Sequence, residues 1–452
     1  GKIGIQKVEV EDVRGKIYRK APEKDFNFQF IPDAFASSPP DTTSGEPLDM
    51  SWDHLVVRKI HLTYYDDGSG IDADIRLPEA EVLFSAFNPS YSRYHPTDIQ
   101  LKNSDLSLRF FRPTDLGLPP AEPTPVTDTL DLQFGKIDFR NIKVRYNDEV
   151  SGLTTDLDFP KVLAQIDHVY LDGQRVGIKE LEIANSKIIV AFNPVEEEVT
   201  SEVEADSSTE GWQVRLGSLR LLENEIAYDD HNIQPTSKGL DYAHINLSGL
   251  SGELDNFIYS PDSTAGNLIH LQLEEKSGLV VEKAAAQFGY TARQTFLKNL
   301  TLKTPHSSLG DQVVLSYSDL DQLSSDLGNV KLDFKLAQSK LGFPDLLLLL
   351  PDLAETPPFD VKPNSFIQGS AHLTGTVNNI QINEAVFSMP DATRLAVTGN
   401  ITGMPDPDQL GMAIELKELS ASGADVMALL PKGTLPDSVR LPDQMKLVGR
   451  LD

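Results

Sequence analysis

Along Ile367, Gly369, Ala371, Leu373, Gly375 and Val377, and again along Leu395, Val397, Gly399 and Ile401, apolar or small side chains alternate with polar ones. No other feature of the chain restricts its fold as far. A spacing of two puts alternate side chains on opposite faces of a β-strand, so these segments read as strands with one dry and one wet face. Asn378-Asn379, Pro390-Asp391 and Pro405-Asp406-Pro407 break the alternation where the chain turns. Glycines recur inside the strands, where they mark curvature, a bulge or a close approach to the backbone. The stretch 365–407 is thus expected to be a curved antiparallel sheet with one apolar face. What covers that face becomes the question.

The same grammar runs through the rest of the chain. Ile5, Val8, Val10, Val13 and Ile17 are strand-like, and 25–28 reads as a second edge strand. From Trp212 onward come short runs such as Ile269/Leu271/Leu273, Leu300/Leu302, Val313/Leu315 and Leu332/Phe334/Leu336, each bounded by turn residues. Many short strands at regular spacing mean an all-β fold. IHLTYYDDGSG at 60–70 repeats as IKVRYNDEVSG at 142–152. Tyr65, Tyr146 and Tyr228 then recur at offsets of 81 and 82, which makes them candidates for a structural stack along one face. A fixed period signals an array in which each unit buries its face on the next. Loops at 36–49, 112–128 and 194–211 separate the early units; the last holds seven acidic residues and no basic one. GFPDLLLLLP at 342–351 is the exception, a leucine run between prolines that fits a short helix from Pro344 to before Pro351. It recurs at an offset of 80 at Asp425, Leu430 and Pro431. The expected divisions are 1–49, 50–126, 127–210, 211–338, 339–421 and 422–452, the last a truncated repeat.

Composition removes several functions. With Lys and Arg at 40 against 68 Asp and Glu, the net charge of -28 excludes a phosphate-binding surface for nucleic acid. It equally disfavours adhesion to anionic membrane, so any lipid contact must be apolar. No cysteine is present, which removes disulfides, thiol chemistry and cysteine-held zinc. The nine histidines are scattered, with no metal-ligand spacing. Asp66-Asp67 and Asp229-Asp230 are better read as turn residues than as calcium ligands. No nucleophile elbow or phosphate loop occurs. No catalytic residue, metal site or cofactor is expected, and the chain is read as a non-enzyme.

Gly369, Leu373, Gly375 and Ile380, followed by Gly399, Ile401, Gly403, Met404, Pro405, Asp406 and Pro407, resemble the repeated pattern of the periplasmic AsmA/TamB superfamily. The N-terminal DFNFQFIPDAF and the Tyr-Tyr-Asp-Asp units look like its Bacteroidetes branch. The resemblance implies an extended repeating β-groove, an open, curved superhelix of antiparallel sheet throughout with a few short helices, anchored in the inner membrane by an N-terminal helix outside this fragment and crossing the periplasm. It implies carriage of phospholipid tails between the membranes in outer-membrane biogenesis. The alternative it implies is assembly of outer-membrane proteins beside an Omp85-family (TamA-type) barrel, through parts outside this fragment. A structural or adhesin-like β-array is the second alternative. Ile269, Leu271, Leu273, Leu332, Phe334, Leu336, Leu373, Val397 and Ile401 are the candidate lipid-groove residues. Roughly 25 strands would give a groove on the order of 120 Å long.

Overall fold

A computed structural model describes residues 2–31, 49–89, 92–117, 130–195, 211–390, 393–429 and 440–451. The loops expected at 36–49, 112–128 and 194–211 therefore lie largely outside the described residues, as do Leu430 and Pro431. The fold is all-β, with 25 strands and three short α-helices among the described residues. The chain divides into two compact units. Unit 1 comprises 1–234 with 243–248, and unit 2 comprises 235–242 with 249–452.

Unit 1 holds β1 (Lys2–Ile5), β2 (Val8–Glu11), β3 (Arg14–Arg19), β4 (Asp49–Trp52), β5 (His54–Asp66), β6 (Ile71–Asn88), β7 (Arg93–Lys102), β8 (Asp105–Phe110) and β9 (Asp131–Leu132). It continues through β10 (Lys136–Asp148), β11 (Leu153–Tyr170), β12 (Arg175–Ala184), β13 (Lys187–Phe192) and β14 (Gln213–Asp230). Its module is three strands long: β5 and β6 pair antiparallel, and β6 returns through a strand broken into β7 and β8. The next module repeats this with β10, β11 and the broken pair β12 and β13. Modules join in parallel, β10 against β7 and β8, and β14 against β12 and β13. The sheet is thus mixed, and the expectation of antiparallel pairing throughout is corrected here. Parallel neighbours require a crossover of a dozen or more residues, which the connections between modules supply. Residues 25–28 are a turn rather than a strand. Asn27 fastens them, its Oδ1 accepting from the Tyr18 amide at 2.7 Å and its Nδ2 donating to the Lys16 carbonyl at 2.9 Å.

Each module bends at one level. Asp12, Lys59, Asn103, Asn141, Asn185 and Glu223 all have φ between 49° and 55°. The Asn103 amide reaches Arg140 and the Asn185 amide reaches Leu222, so these residues line up across the parallel seams. Pro78 and Pro160 lie opposite Lys59 and Asn141, bracketed by the pairs Arg58–Glu79 and Ile60–Leu77, and Arg140–Lys161 and Ile142–Phe159. The register runs one-to-one through the spot, and proline, which has no N–H to give, sits where the left-handed residue interrupts the ladder. The polarity phase changes at the same level: Leu55 and Val57 precede Lys59, whereas Ile60, Leu62 and Tyr64 follow it.

Unit 2 is a meander. It contains β16 (Ser263–Glu275), β17 (Val280–Tyr290), β18 (Gln294–Lys303), β19 (Ser308–Ser316), β20 (Lys331–Gly342), β21 (Phe366–Thr376), β22 (Asn379–Ser388), β23 (Arg394–Thr402), β24 (Gly411–Ala421) and β25 (Met445–Leu451). Each pairs antiparallel with the next, and every one of these pairings carries at least one register shift. β15 (His244–Ser260) belongs to unit 1 up to Ser248 and to unit 2 beyond it. Helix α1 (Gln322–Ser325) lies between β19 and β20. α2 (Phe343–Leu349) follows β20, and α3 (Gly423–Leu429) follows β24. The helix expected at the leucine run is present, and its counterpart is present near Asp425.

Candidate functional site: an uncovered apolar sheet face

Paired residues on neighbouring strands share a face, so the registers of unit 1 can be read as rows. One row runs Val8, Leu55, Val82, Ile99, Ile137, Ala164, Leu181 and Leu219. The next runs Val10, Val57, Ala80, Leu101, Phe139, Val162, Ile183 and Leu221. Beyond the level of left-handed residues comes Gly15, Leu62, Ile75, Leu106, Val144, Leu157, Ile188 and Ile226. Eight strands at the usual spacing make each row roughly 34 Å long.

Nothing described in unit 1 closes over these rows. Of the residues in them only Ala80 is buried; the others are half-buried or exposed, and Leu62 is 40% exposed. A second layer would have buried them, as facing sheets do in a sandwich. The opposite face is polar. It carries a hollow of about 550 Å³ lined by Asp98, Gln100, Lys136, Asp138, Gln165, Glu180, Glu182, Ser218 and Arg220, with Ile137, Leu163, Ala164 and Leu181 between them. Arg140 and Asp138 pair there at 2.5 Å, and Lys161 pairs with Glu182.

The repeated tyrosines sit at the end of the apolar face, with one correction. Asp66 and Asp148 accept from the amides of Gly70 and Gly152 at 2.8 and 2.9 Å, which fixes the offset at 82 and makes Tyr64 the equivalent of Tyr146. Tyr65 lies on the other face. Its ring stacks on Phe111 and its hydroxyl donates to Asp67 at 2.7 Å. Tyr146 and Tyr228 do not stack on each other; each meets a phenylalanine of the preceding module, Phe110 at 5.7 Å and Phe192 at 6.1 Å. The aspartates beside them build turns. Asp66 accepts from Gly68 N and Ser69 Oγ, and Asp148 from Val150 N and Ser151 Oγ. Arg19 clasps Asp66 through two bonds of 2.7 Å and holds its carboxyl well below the usual carboxylate range.

Unit 2 gathers most of the sequence candidates. Phe334, Leu336, Leu373, Val397 and Ile401 pack around the buried Ala371, Ile382 and Ala385. Leu332 pairs with Leu315 and Gly375, at the level of Ile401. Leu271 and Leu273 pair with Ala284 and Val281. Ile269 departs from this set. The register slips between Leu268 and Leu271, so Leu268 keeps the face of Leu271 and Ile269 is left 49% exposed at the bulge. Gly399 does not make room for a ligand. A Cβ on Gly399, with φ of 151°, would meet the Ala413 carbonyl oxygen at 2.3 Å, so it permits close strand approach instead.

On the apolar face lies a cleft of about 630 Å³. Phe334 and Leu336 line it, joined by Leu300, Val313, Ile367 and Leu395, which the alternation also marks, and by Leu309, Leu341, Phe387, Met389 and Leu419, which it does not. Its polar lining is bonded elsewhere. Gln312 donates to Asp333 at 3.0 Å, Lys335 pairs with Asp311 at 3.1 Å, Ser339 accepts from Gly310 N at 3.0 Å, and Thr393 donates to Asp425 at 2.6 Å. The cleft therefore offers hydrocarbon contact and no directed donor to a ligand. Among the described residues, no cluster of His, Asp or Glu is arranged to hold a metal ion, and no helix is long and apolar enough to cross a membrane. No family model, curated protein or solved structure matches the chain.

Proposed function

We propose that this chain carries lipid hydrocarbon along the apolar faces of its sheets, as part of a periplasmic, inner-membrane-anchored bridge of the AsmA/TamB type that supplies phospholipid to the outer membrane. One observation carries the reading: rows of half-exposed Leu, Ile, Val and Phe that no second layer among the described residues covers, with charged side chains on the other face. A water-soluble sheet that exposes such rows is stabilised by an apolar partner. Each methylene of an acyl chain laid on them gains about 0.8 kcal/mol if fully buried. Such energy accrues evenly along a row, which suits a chain that slides over one that locks into place. The glycine-strand resemblance supports the same reading, and the acidic surface fits contact through tails rather than through headgroup charge.

Native mass spectrometry with lipid extraction of the purified chain tests it. Several phospholipids per chain are expected, and the number should fall when Leu106 and Val144 are both changed to Asp. A folded, lipid-free chain overturns the reading; binding of unfolded outer-membrane barrel segments would then be the next measurement.

A further inference from the structure

We infer that the polar face of unit 2 carries a binding site for a hydroxylated anion, a small molecule or headgroup that sets hydroxyls beside a carboxylate or a phosphate. The site lies on the face opposite the apolar cleft and stands whether or not lipid occupies that cleft.

Val314, Asp333 and Thr374 pair across β19, β20 and β21, one residue out of step with Val313, Phe334 and Leu373 of the apolar face. Successive residues of a strand take opposite faces, so the first three point away from the cleft. Gln294, Ser316, Lys331, Thr376 and Asn379 form the neighbouring row on that polar face. A hollow of about 820 Å³ lies over these two rows, with Lys298 also in its lining. Val314, 9% exposed, gives it an apolar floor.

Polar groups with unused capacity converge on this hollow. Gln294 donates through Nε2 to Ser316 Oγ at 3.3 Å, which leaves its Oε1 as an acceptor. Asn379 Oδ1 accepts from Asn400 at 2.6 Å, which leaves its Nδ2 as a donor, and Thr376 adds a hydroxyl. Neither Lys298 nor Lys331 pairs with a carboxylate among the described residues; the Lys298 ammonium rests 4.6 Å from the centre of the Phe296 ring. Against these two cations the lining sets one carboxylate, Asp333, which accepts from Gln312 Nε2 at 3.0 Å. The hollow is therefore locally positive in a chain whose net charge is -28. A lysine facing water needs no partner, but these two share one concavity with amides and a hydroxyl. A few polar groups converging on a hollow mark a small-molecule site. The ammoniums hold the anionic group, as lysine holds phosphate elsewhere, and Gln294, Thr376 and Asn379 take the hydroxyls.

Isothermal titration calorimetry of the whole chain at low salt tests the site with glucuronate, glycerophosphate, uncharged glucose and the bare anions acetate and phosphate. Glucuronate or glycerophosphate is expected to bind, the tighter of the two naming the source of the charge, and glucose and the bare anions about tenfold more weakly or less. Lys298→Gln with Lys331→Gln should weaken the preferred probe about tenfold or more and remove most of its salt dependence. Asn379→Ala should narrow the gap between that probe and the bare anions, as losing a hydroxyl contact does and losing charge does not. Should the lysine double variant change its circular dichroism, Lys331→Gln alone, at an exposed position, gives the same readout. Glucose or a bare anion binding as tightly as the hydroxylated anions overturns the inference. So do probes that bind parent and lysine variant alike, or do not bind at all. Lipid extraction from the parent chain is independent of every one of these results.

Discussion

Units 1 and 2 solve one problem, a single sheet with an apolar face, in different ways. Unit 1 aligns six left-handed residues at one level across its modules, so the sheet steps once there and the rows on either side stay continuous. Unit 2 places a register shift in each antiparallel pairing and adds helices at the strand ends. The outcome differs. Unit 1 presents long, open apolar rows and a hollow on its polar face, whereas unit 2 also encloses an apolar cleft. Bulges bend strands and raise their twist, so where they fall decides whether apolar residues form an open track or a walled pocket.

The sharpest way to break the contrast is to charge the packed centre of unit 2. Ile382→Asp puts an unpaired carboxylate at a position 6% exposed, and the expected loss is about 4 kcal/mol or more. Leu62→Asp, at a 40% exposed row position in unit 1, should cost under about 1 kcal/mol. Urea denaturation of the two variants measures both. Equal losses would mean that the rows of unit 1 are covered after all.

Next in size is the joint at α2. Asp345→Ala leaves the hydroxyls of Thr304 and Ser307 without their shared acceptor in a buried site, at an expected cost of about 3 kcal/mol. An unchanged denaturation midpoint would show that the helix is not fastened through this residue.

How much of this was legible in the sequence follows from the same contrast. Strand existence was legible, because alternation survives between bulges, and so was the leucine helix between its prolines. The parity of faces was not. At Lys59, Asn141 and Glu223 the chain takes one left-handed step and the count of two restarts. A similar slip between Leu268 and Leu271 turned Ile269 out of the groove set. The Tyr64-Tyr65 doublet hid the true offset of 82 for the same reason. The parallel seams had a signal in the length of the connections at 112–128 and 194–211, since hairpins do not need so many residues. The joint at Asp345 had none, because its partners stand 41 and 38 residues away and nothing local marks them.

The turn at Asp66 gives a pH test confined to unit 1. Its carboxyl is held far below its ordinary value, first by the Arg19 hydrogen bonds and further by Ser69 and Gly68, against the opposing effect of burial. A depressed folded-state value contributes stability that is complete above the unfolded value, about 3.9, and is lost as pH falls toward the folded one. Unit 1 should therefore weaken on acidification below about pH 4. Arg19→Met should lower its stability at neutral pH and flatten that slope. A variant with the parent's full acid slope would place the sensitivity elsewhere.

The smallest expected effect tests the level of left-handed residues itself. Asn occupies three of the six left-handed positions at that level, and its short side chain visits that region at little cost. Glu223, with φ of 49°, is a longer side chain held there by the sheet around it. Next to it, Asn224 is 1% exposed and fills the position of Ile60 and Ile142, its Oδ1 accepting from Ser186 N at 2.9 Å and its Nδ2 donating to the Ile183 carbonyl at 3.0 Å. The surroundings thus impose the step, and the residue at 223 only adapts to it. Glu223→Asn should raise stability by about 0.5–1 kcal/mol, read as a higher thermal midpoint. A loss instead would mean that the glutamate's own contacts hold the left-handed step, and that the level is set residue by residue rather than by the sheet.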